Sequence, residues 1–258
     1  MSQIHTKPTY DKMPLFPTIN PGDRKSPLLS IRDLSKFYGR KMVFNGIDFD
    51  LAPGEALNIV GRAGSGKSTL LQCIAGCIPP TNGTIGFNAS QGRIDLCRTN
   101  EATLRKVVGS QIGYVVCNAH RQLPMGVTAG GNIAQGLLTT GICHFGTIRH
   151  MARQWLELFG IDPGRIDEMT DTYSGGMLKR LQIAAVLASY PRLLLLDDPF
   201  SGLDRPSKSY IIKVLEKEMA DRQLSIILVN RTLKTARLFS HKICAIKKGK
   251  FIHWGAVK

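Results

Sequence analysis

The chain has 258 residues, 43% hydrophobic and 21% charged, which suits one large α/β domain or two small ones and an ordinary globular interior. Its formal charge is +15, from 34 basic and 19 acidic residues, a field that attracts nucleotides, nucleic acid, acidic lipid or an acidic protein face. No apolar run approaches the ~20 residues that cross a bilayer, and Lys7, Asp11, Lys12 and two prolines interrupt any signal-peptide core; a cytoplasmic location is expected, with any membrane contact made through a partner.

Residues 1–27 carry Pro8, Pro14, Pro17, Pro21 and Pro27 with little periodicity and read as a flexible tail. A folded domain is expected over 28–258. Leu29, Ile31 and Leu34 open a strand region. Ile47, Phe49 and Leu51 alternate with Asp48 and Asp50, the pattern of a half-buried strand, and Pro53-Gly54 punctuates it. Ala56–Val60 is a short apolar strand.

Gly61-Arg62-Ala63-Gly64-Ser65-Gly66-Lys67-Ser68-Thr69 follows and fits G-x-x-x-x-G-K-[ST]. The context is the required one: a strand before, and a helix expected over Lys67–Ala75 that Gly76 ends. Glycines let the backbone wrap so that successive N–H groups point at phosphate oxygens. The helix N-terminus adds partial positive charge. Lys67 reaches the β- and γ-phosphates, and the Ser68 hydroxyl ligates Mg²⁺. ATP and Mg²⁺ are therefore the expected ligands.

Residues 84–116 read as short strands and connectors. Residues 119–190 read as mainly helical, with helices around 146–159 and 175–189. Leu193–Leu196 is a continuous apolar run, as in a strand buried on both faces of a parallel sheet. Pro206–Arg222 reads as a charged helix and Ser225–Val229 as another buried strand. Ile243–Ile246 and Phe251–Trp254 flank Lys247-Lys248-Gly249-Lys250, a hairpin pattern.

Lys234, Arg237, Lys242, Lys247, Lys248 and Lys250 form the densest basic stretch. It reads first as a solvated face and second as a docking face for an acidic partner. No nucleic-acid reader motif accompanies it, so no direct nucleic-acid binding is expected. Cys73, Cys77, Cys97, Cys117, Cys143 and Cys244 include no CxxC pair and read as reduced, partly buried thiols. His120, His144 and His150 lack a metal spacing. Trp155, Leu156, Leu158 and Phe159 read as helix packing, and Lys179 and Arg180 as residues facing solvent or a partner nucleotide.

A phosphate loop alone allows kinases, GTPases and many ATPases. The later marks narrow it: Ser174-Gly175-Gly176-Met177 opens a helix, Leu193–Leu196 leads into Asp197-Asp198-Pro199, and Ser201-Gly202-Leu203-Asp204 follows at once. In this order the motifs resemble the ATP-binding cassette (ABC) family across residues 28–258. The resemblance implies an α/β fold, a P-loop NTPase nucleotide-binding domain with an N-terminal β subdomain and an inserted helical subdomain at about 118–180. It implies an ATPase that works as one half of a sandwich dimer, a homodimer or a heterodimer. Tyr38 sits where the family stacks a ring on adenine. Asp197 matches the acid that holds Mg²⁺ through water, and Asp198 the place of the catalytic glutamate. Ser174, Gly175 and Gly176 match the motif that caps the γ-phosphate bound to the opposite subunit, and Asp204 the dimer-communication loop.

Within the family, the segments 126–133, 140–149, 166–177 and 179–184 resemble the ATP-binding subunit of the carbon–phosphorus lyase system, which degrades phosphonates. Three positions depart from the family pattern. Cys117 stands where a glutamine is usual, and Gln122 replaces it only through a loop shift. Asp198 is one methylene shorter than glutamate. Asn230 stands in place of the switch histidine; it hydrogen-bonds phosphate but carries no charge near neutral pH. Binding is therefore expected to survive better than turnover. The leading expectation is an ATPase subunit docked on carbon–phosphorus lyase core subunits. The alternatives are the motor of an oligopeptide-type or phosphonate importer gripping a membrane permease, and a regulatory ATP-binding module with negligible turnover. Importer cassettes of the oligopeptide type often carry a further segment after the last strands, which favours the first reading.

Overall fold

The structure is a computed structural model that describes residues 26–232 and 241–256, the side chains of 253–256 excepted. Residues 1–25 of the expected tail, and Lys234 and Arg237 of the basic stretch, lie outside the described residues.

In chain order the first half comprises β1 (Leu29–Tyr38), β2 (Lys41–Leu51), β3 (Ala56–Val60), α1 (Lys67–Ile74), β4 (Asn82–Ala89), β5 (Gly92–Asp95), α2 (Glu101–Gln111) and β6 (Ile112–Val115). The second half comprises α3 (Ala129–Thr139), α4 (Phe145–Leu158), α5 (Gly175–Leu187), β7 (Leu193–Asp197), α6 (Arg205–Arg222), β8 (Ser225–Asn230), β9 (Lys242–Lys247) and β10 (Lys250–Ala256). Short 3₁₀ turns at Ala119–Arg121, Pro163–Asp167 and Thr170–Thr172 link the helices of that half.

Two sheets result. One is antiparallel, in the order β2-β1-β4-β5. The other runs β10-β9-β3-β8-β7-β6; its five strands from β9 to β6 are parallel and β10 closes the edge antiparallel. The apolar runs of the parallel strands are buried on both faces. Leu193 and Leu195 of β7, with Ile227 and Val229 of β8, face a core shared with the antiparallel sheet and α1. Leu194, Leu196, Ile226 and Leu228 face a second core shared with α3 to α6. Each fully buried Leu or Ile contributes about 1.5–3 kcal/mol, so the central strands hold the two layers to one another.

The β2 strand begins earlier than its clean alternation suggests, at Lys41, because β1 pairs with it through bulges out to Tyr38. The Lys248-Gly249 turn joins β9 to β10, with Asn45 N–H of β2 donating to Gly249 O at 2.9 Å. One helix departs from the sequence expectation: residues 101–111 are α2 rather than connector, capped by Asn100, whose Oδ1 accepts from Thr103 N–H at 2.8 Å. Residues 129–139, in the stretch read as mainly helical, form α3, capped by Thr128. On α4, Met151, Ala152, Trp155 and Leu156 are buried, and Trp155 and Phe159 pack with ring centroids 6.4 Å apart.

Candidate functional site: a nucleotide cleft at the strand ends

Strand β3 delivers Gly61 to the C-terminal edge of the parallel sheet, where Gly61 N–H donates to Asn230 O of β8 at 3.3 Å. The loop then turns through Gly64 (φ 76°) and Gly66 (φ 97°), left-handed conformations that glycine adopts without strain. Helix α1 has no side-chain cap, so its first N–H groups are offered to the loop, the arrangement that receives anionic oxygens. The Lys67 ammonium is held at the centre by Gly61 O at 2.7 Å, Arg62 O at 2.8 Å and Ser65 Oγ at 3.2 Å. Burial pushes its pKa down, against the pull of Asp197 and Asp198.

Ser68, in the first turn of α1, donates its hydroxyl to Asp197 Oδ1 at 3.0 Å. Asp197 ends β7 and is 8% exposed; burial raises its pKa, opposed by the Ser68 hydrogen bond and by Lys179 and Lys67. A serine hydroxyl and a carboxylate in contact are the hard oxygen donors that Mg²⁺ takes. The donor set therefore fits that ion.

Asp198 follows with φ 48°, its N–H donating to Val229 O at 2.9 Å. The turn aims its carboxylate across the cleft to Arg231, whose Nε lies 2.9 Å from Asp198 Oδ2. The geometry is a charge contact rather than a directed hydrogen bond, since Oδ2 has no hydrogen-bond partner. Asn230, 1% exposed, donates Nδ2 to Asn58 Oδ1 at 3.0 Å and keeps its own Oδ1 without a partner. One N–H of that amide is thus committed to the sheet.

Cys117 is exposed at the cleft. Partial burial, and then Asp198 and Asp197, raise the pKa of its thiol, so it stays protonated at neutral pH. Gln122 does not take its place. Its side chain donates to Tyr114 O at 2.7 Å, accepts from Val116 N–H at 3.1 Å and accepts from Gln182 Nε2 at 2.6 Å. It braces the strand end instead of facing nucleotide.

Tyr38, Ala63–Thr69, Cys117, Asp197, Asp198 and Asn230 converge on one cleft of about 410 Å³. Tyr38 is 55% exposed, with its ring free on one side and the Lys36 ammonium 5.0 Å from its centroid. The ABC transporter sequence pattern matches residues 44–201. The chain belongs to the ABC transporter family. It is an ABC-type ATPase.

The ATPase is 37% identical over 229 residues to a candidate phosphonates utilization ATP-binding protein, PhnK, of Escherichia coli (strain K12), covering 89% of each chain. It is 31% identical over 237 residues to the methionine import ATP-binding protein MetN of Brucella abortus (strain 2308), across 92% of this chain but 62% of that longer one. Its fold superposes on the dimeric, ADP- and Pi-bound post-hydrolysis ATP-binding cassette MJ0796 with a TM-score of 0.80, covering 89% and 99% of the two chains at 24% identity.

Five of the expected site residues of this ATPase do not line the cleft: Gly61, at the base of the phosphate loop, and four at the starts of α5 and α6. Ser174 caps α5 by accepting from Met177 N–H at 3.3 Å, and Gly175 is exposed with open space at its Cα. Gly176 is half-buried and packs near Ser207. Asp204 caps α6 by accepting from Ser207 N–H at 3.1 Å, and that contact holds its pKa down. None of the four lines the phosphate loop of its own chain.

Sequence reasoning missed the cleft residues Lys41, Met42, Val43 and Arg231. It also misplaced Lys179 and Arg180. Lys179 is 5% exposed, and its ammonium donates to Cys117 O at 2.7 Å, Gln182 Oε1 at 2.9 Å and Val116 O at 3.1 Å. Arg180 donates to Gly160 O at 2.7 Å and Phe159 O at 2.8 Å. Lys179 ties α5 to the end of β6 instead of facing solvent, and the half-buried Arg180 ties α5 to the residues after α4.

Proposed function

We propose that this ATPase docks on the core subunits of a phosphonate-degrading carbon–phosphorus lyase and drives a conformational step by closing, as half of a sandwich dimer, on Mg-ATP. The similarity to PhnK over nearly the whole of both chains carries this reading. The second ABC subunit supplies what the cleft lacks, because the exposed N-terminus of α5, with Ser174, Gly175 and Gly176, adds donors and a helix dipole to a γ-phosphate held by another chain. Asp204 stands beside that motif, at the start of α6, as the contact through which one half senses the other.

Within one chain, the loop amides of Gly61–Thr69 and Lys67 bind the phosphates, and Tyr38 stacks on the base. Ser68 and Asp197 hold Mg²⁺, which supplies charge neutralisation at the β- and γ-oxygens when bound. Asp198 polarises the attacking water from a carboxylate one methylene short of the usual reach. Cys117 offers a protonated thiol where an amide is usual, and Asn230 has its amide donor turned to Asn58. Displacements of ~1 Å cost ~100-fold in rate, so slow turnover, stimulated by the partner assembly, is the result of these three positions acting together.

A cytoplasmic chain follows from this role; among the described residues no helix is long and apolar enough to cross a membrane. A second reading is an importer motor, favoured by the similarity to MetN. Affinity capture of the tagged full chain from its native cells, at low salt with Mg-ATP, separates them. Low salt keeps a basic docking face unscreened. Co-purification of soluble lyase subunits is the expected result; a membrane permease in their place overturns it in favour of the importer.

A further inference from the structure

We propose that Arg231 is the γ-phosphate-recognising cation of this cleft, anchored by Asp198, and that it sets the preference for ATP over ADP. This rests on the cleft being the ATP site. The residue follows Asn230 at the end of β8, so it enters the cleft from the strand neighbouring β7.

Three other polar groups near the phosphates do not distinguish ATP from ADP. The Lys67 ammonium, held by Gly61 O, Arg62 O and Ser65 Oγ deep in the loop, serves the β- and γ-phosphates together. Lys179 is buried against the carbonyls of Val116 and Cys117. Asn230 is 1% exposed and its amide nitrogen is bonded to Asn58 Oδ1, which holds it in the sheet. Arg231 has the opposite character. Its side chain is 64% exposed, and the contact with Asp198 uses Nε. A guanidinium has five N–H donors, so the two terminal nitrogens remain to fork onto a second oxyanion in the bidentate manner that suits phosphate.

Charge explains why the site requires such a group. Asp197 and Asp198 stand side by side at the strand end, where a terminal phosphate brings further negative charge. A cation already paired with Asp198 can bridge that carboxylate to the γ-phosphate, lowering repulsion between the water-polarising acid and the group it acts upon. The field of Arg231 reaches this region: after burial, the main cause, it contributes to pushing down the pKa of Lys67, and it opposes the rise at Cys117. The β-phosphate lies at the loop amides and Lys67, so ADP is held without Arg231.

The test is calorimetric titration of the full chain with the Mg²⁺ complexes of a non-hydrolysable ATP analogue and of ADP, comparing wild type with Arg231→Ala, Arg231→Gln and Arg231→Lys. Charge-assisted hydrogen bonds of about 1.5–3 kcal/mol correspond to roughly 10- to 150-fold in affinity. Arg231→Ala and Arg231→Gln are expected to lose about that factor for the ATP analogue, with ADP affinity within about twofold, and Arg231→Lys to recover part of the loss. An exposed side chain makes folding of all three expected, and thermal melting checks it. Equal losses for both nucleotides make Arg231 a structural residue and overturn the proposal, as does no loss for either. A wild type that binds neither nucleotide overturns the ATP-site reading itself, and the proposal with it.

Discussion

The Ser68 hydroxyl lies 3.0 Å from Asp197 Oδ1, joining the first turn of α1 to the end of β7 across 129 residues of sequence. The pair brings together the two protein oxygens assigned to Mg²⁺, and neither touches the adenine end of the cleft. Their removal should therefore act on metal-dependent binding alone. Ser68→Ala and Asp197→Asn are each expected to abolish most of the strengthening that Mg²⁺ gives to ATP binding, by about tenfold or more, the scale of a lost charge-assisted contact. Affinity in EDTA should change little. Titrations with and without Mg²⁺ check this; an equal loss in EDTA assigns the pair to loop architecture.

Asp197 also makes stability depend on pH in a defined direction. Burial is the first cause of its raised pKa, so the folded chain holds this proton to a higher pH than the unfolded chain does. Stability from this group grows as pH falls through the folded value, and above that value the ionised form is carried at a cost. Asp197→Asn removes the cost while keeping the shape. Its melting temperature should exceed that of wild type near pH 8, and the gap should narrow as the pH is lowered into the carboxylate range. An asparagine variant that melts lower near pH 8 contradicts the assignment. The expected higher melting temperature makes the metal site a functional position held against stability.

Lys179 shows what local pattern reading misses. A lysine beside an exposed glycine motif reads as solvated, yet two segments meet around its ammonium: the two residues after β6 offer Val116 O and Cys117 O, and Gln182 comes from its own helix. Burial lowers its pKa. Lys179→Met keeps the aliphatic bulk and removes the donors, so Cys117 O loses this partner while Val116 O keeps only Gln182 Nε2 at 3.0 Å. A loss of about 1–3 kcal/mol in unfolding free energy is expected, measured by urea denaturation. The same variant should loosen the Cys117 loop, raising hydrogen exchange at Val116 and Cys117; unchanged exchange and stability show that the carbonyls find other donors.

The parts legible in the sequence were those whose physics is local. The phosphate loop is a contiguous motif between a strand and a helix, and Leu193–Leu196 and Ser225–Val229 are apolar runs with one environment on each face. Helix α3 lies in the stretch read as mainly helical, but its bounds were not legible because Gly130, Gly131 and Gly136 look like loop residues. At Gly136 the reason is a close approach: a Cβ there would lie 2.4 Å from Ala185 O of α5, so the glycine serves the crossing of two helices and not a turn. Helix α2 was hidden because Val107 is the only fully buried apolar side chain along it, too few for a periodic stripe. Arg231 was passed over because its meaning depends on Asp198, which belongs to another strand and is placed by tertiary structure alone.

Cys117, Asp198 and Asn230 differ in how readily each can be restored to the usual family residue, and this orders the last prediction. Cys117 is exposed, so Cys117→Gln has room for an amide that reaches the attacking water. Asp198→Glu keeps the backbone turn and extends the carboxylate by one methylene toward the reacting centre. Together these two changes are expected to raise turnover by about 10- to 100-fold, the scale attached to an ~1 Å correction in position, from a basal rate below the ~10 s⁻¹ typical of enzymes. Asn230→His is different: the site is 1% exposed and its amide is bonded to Asn58, so an imidazole must displace that pair, and a lower melting temperature is expected before any gain in rate. Steady-state phosphate release from the single, double and triple variants, with melting temperatures alongside, tests the order. A double variant no faster than wild type places the slow step in dimer closure or partner engagement, where side chains at the γ-phosphate have no leverage.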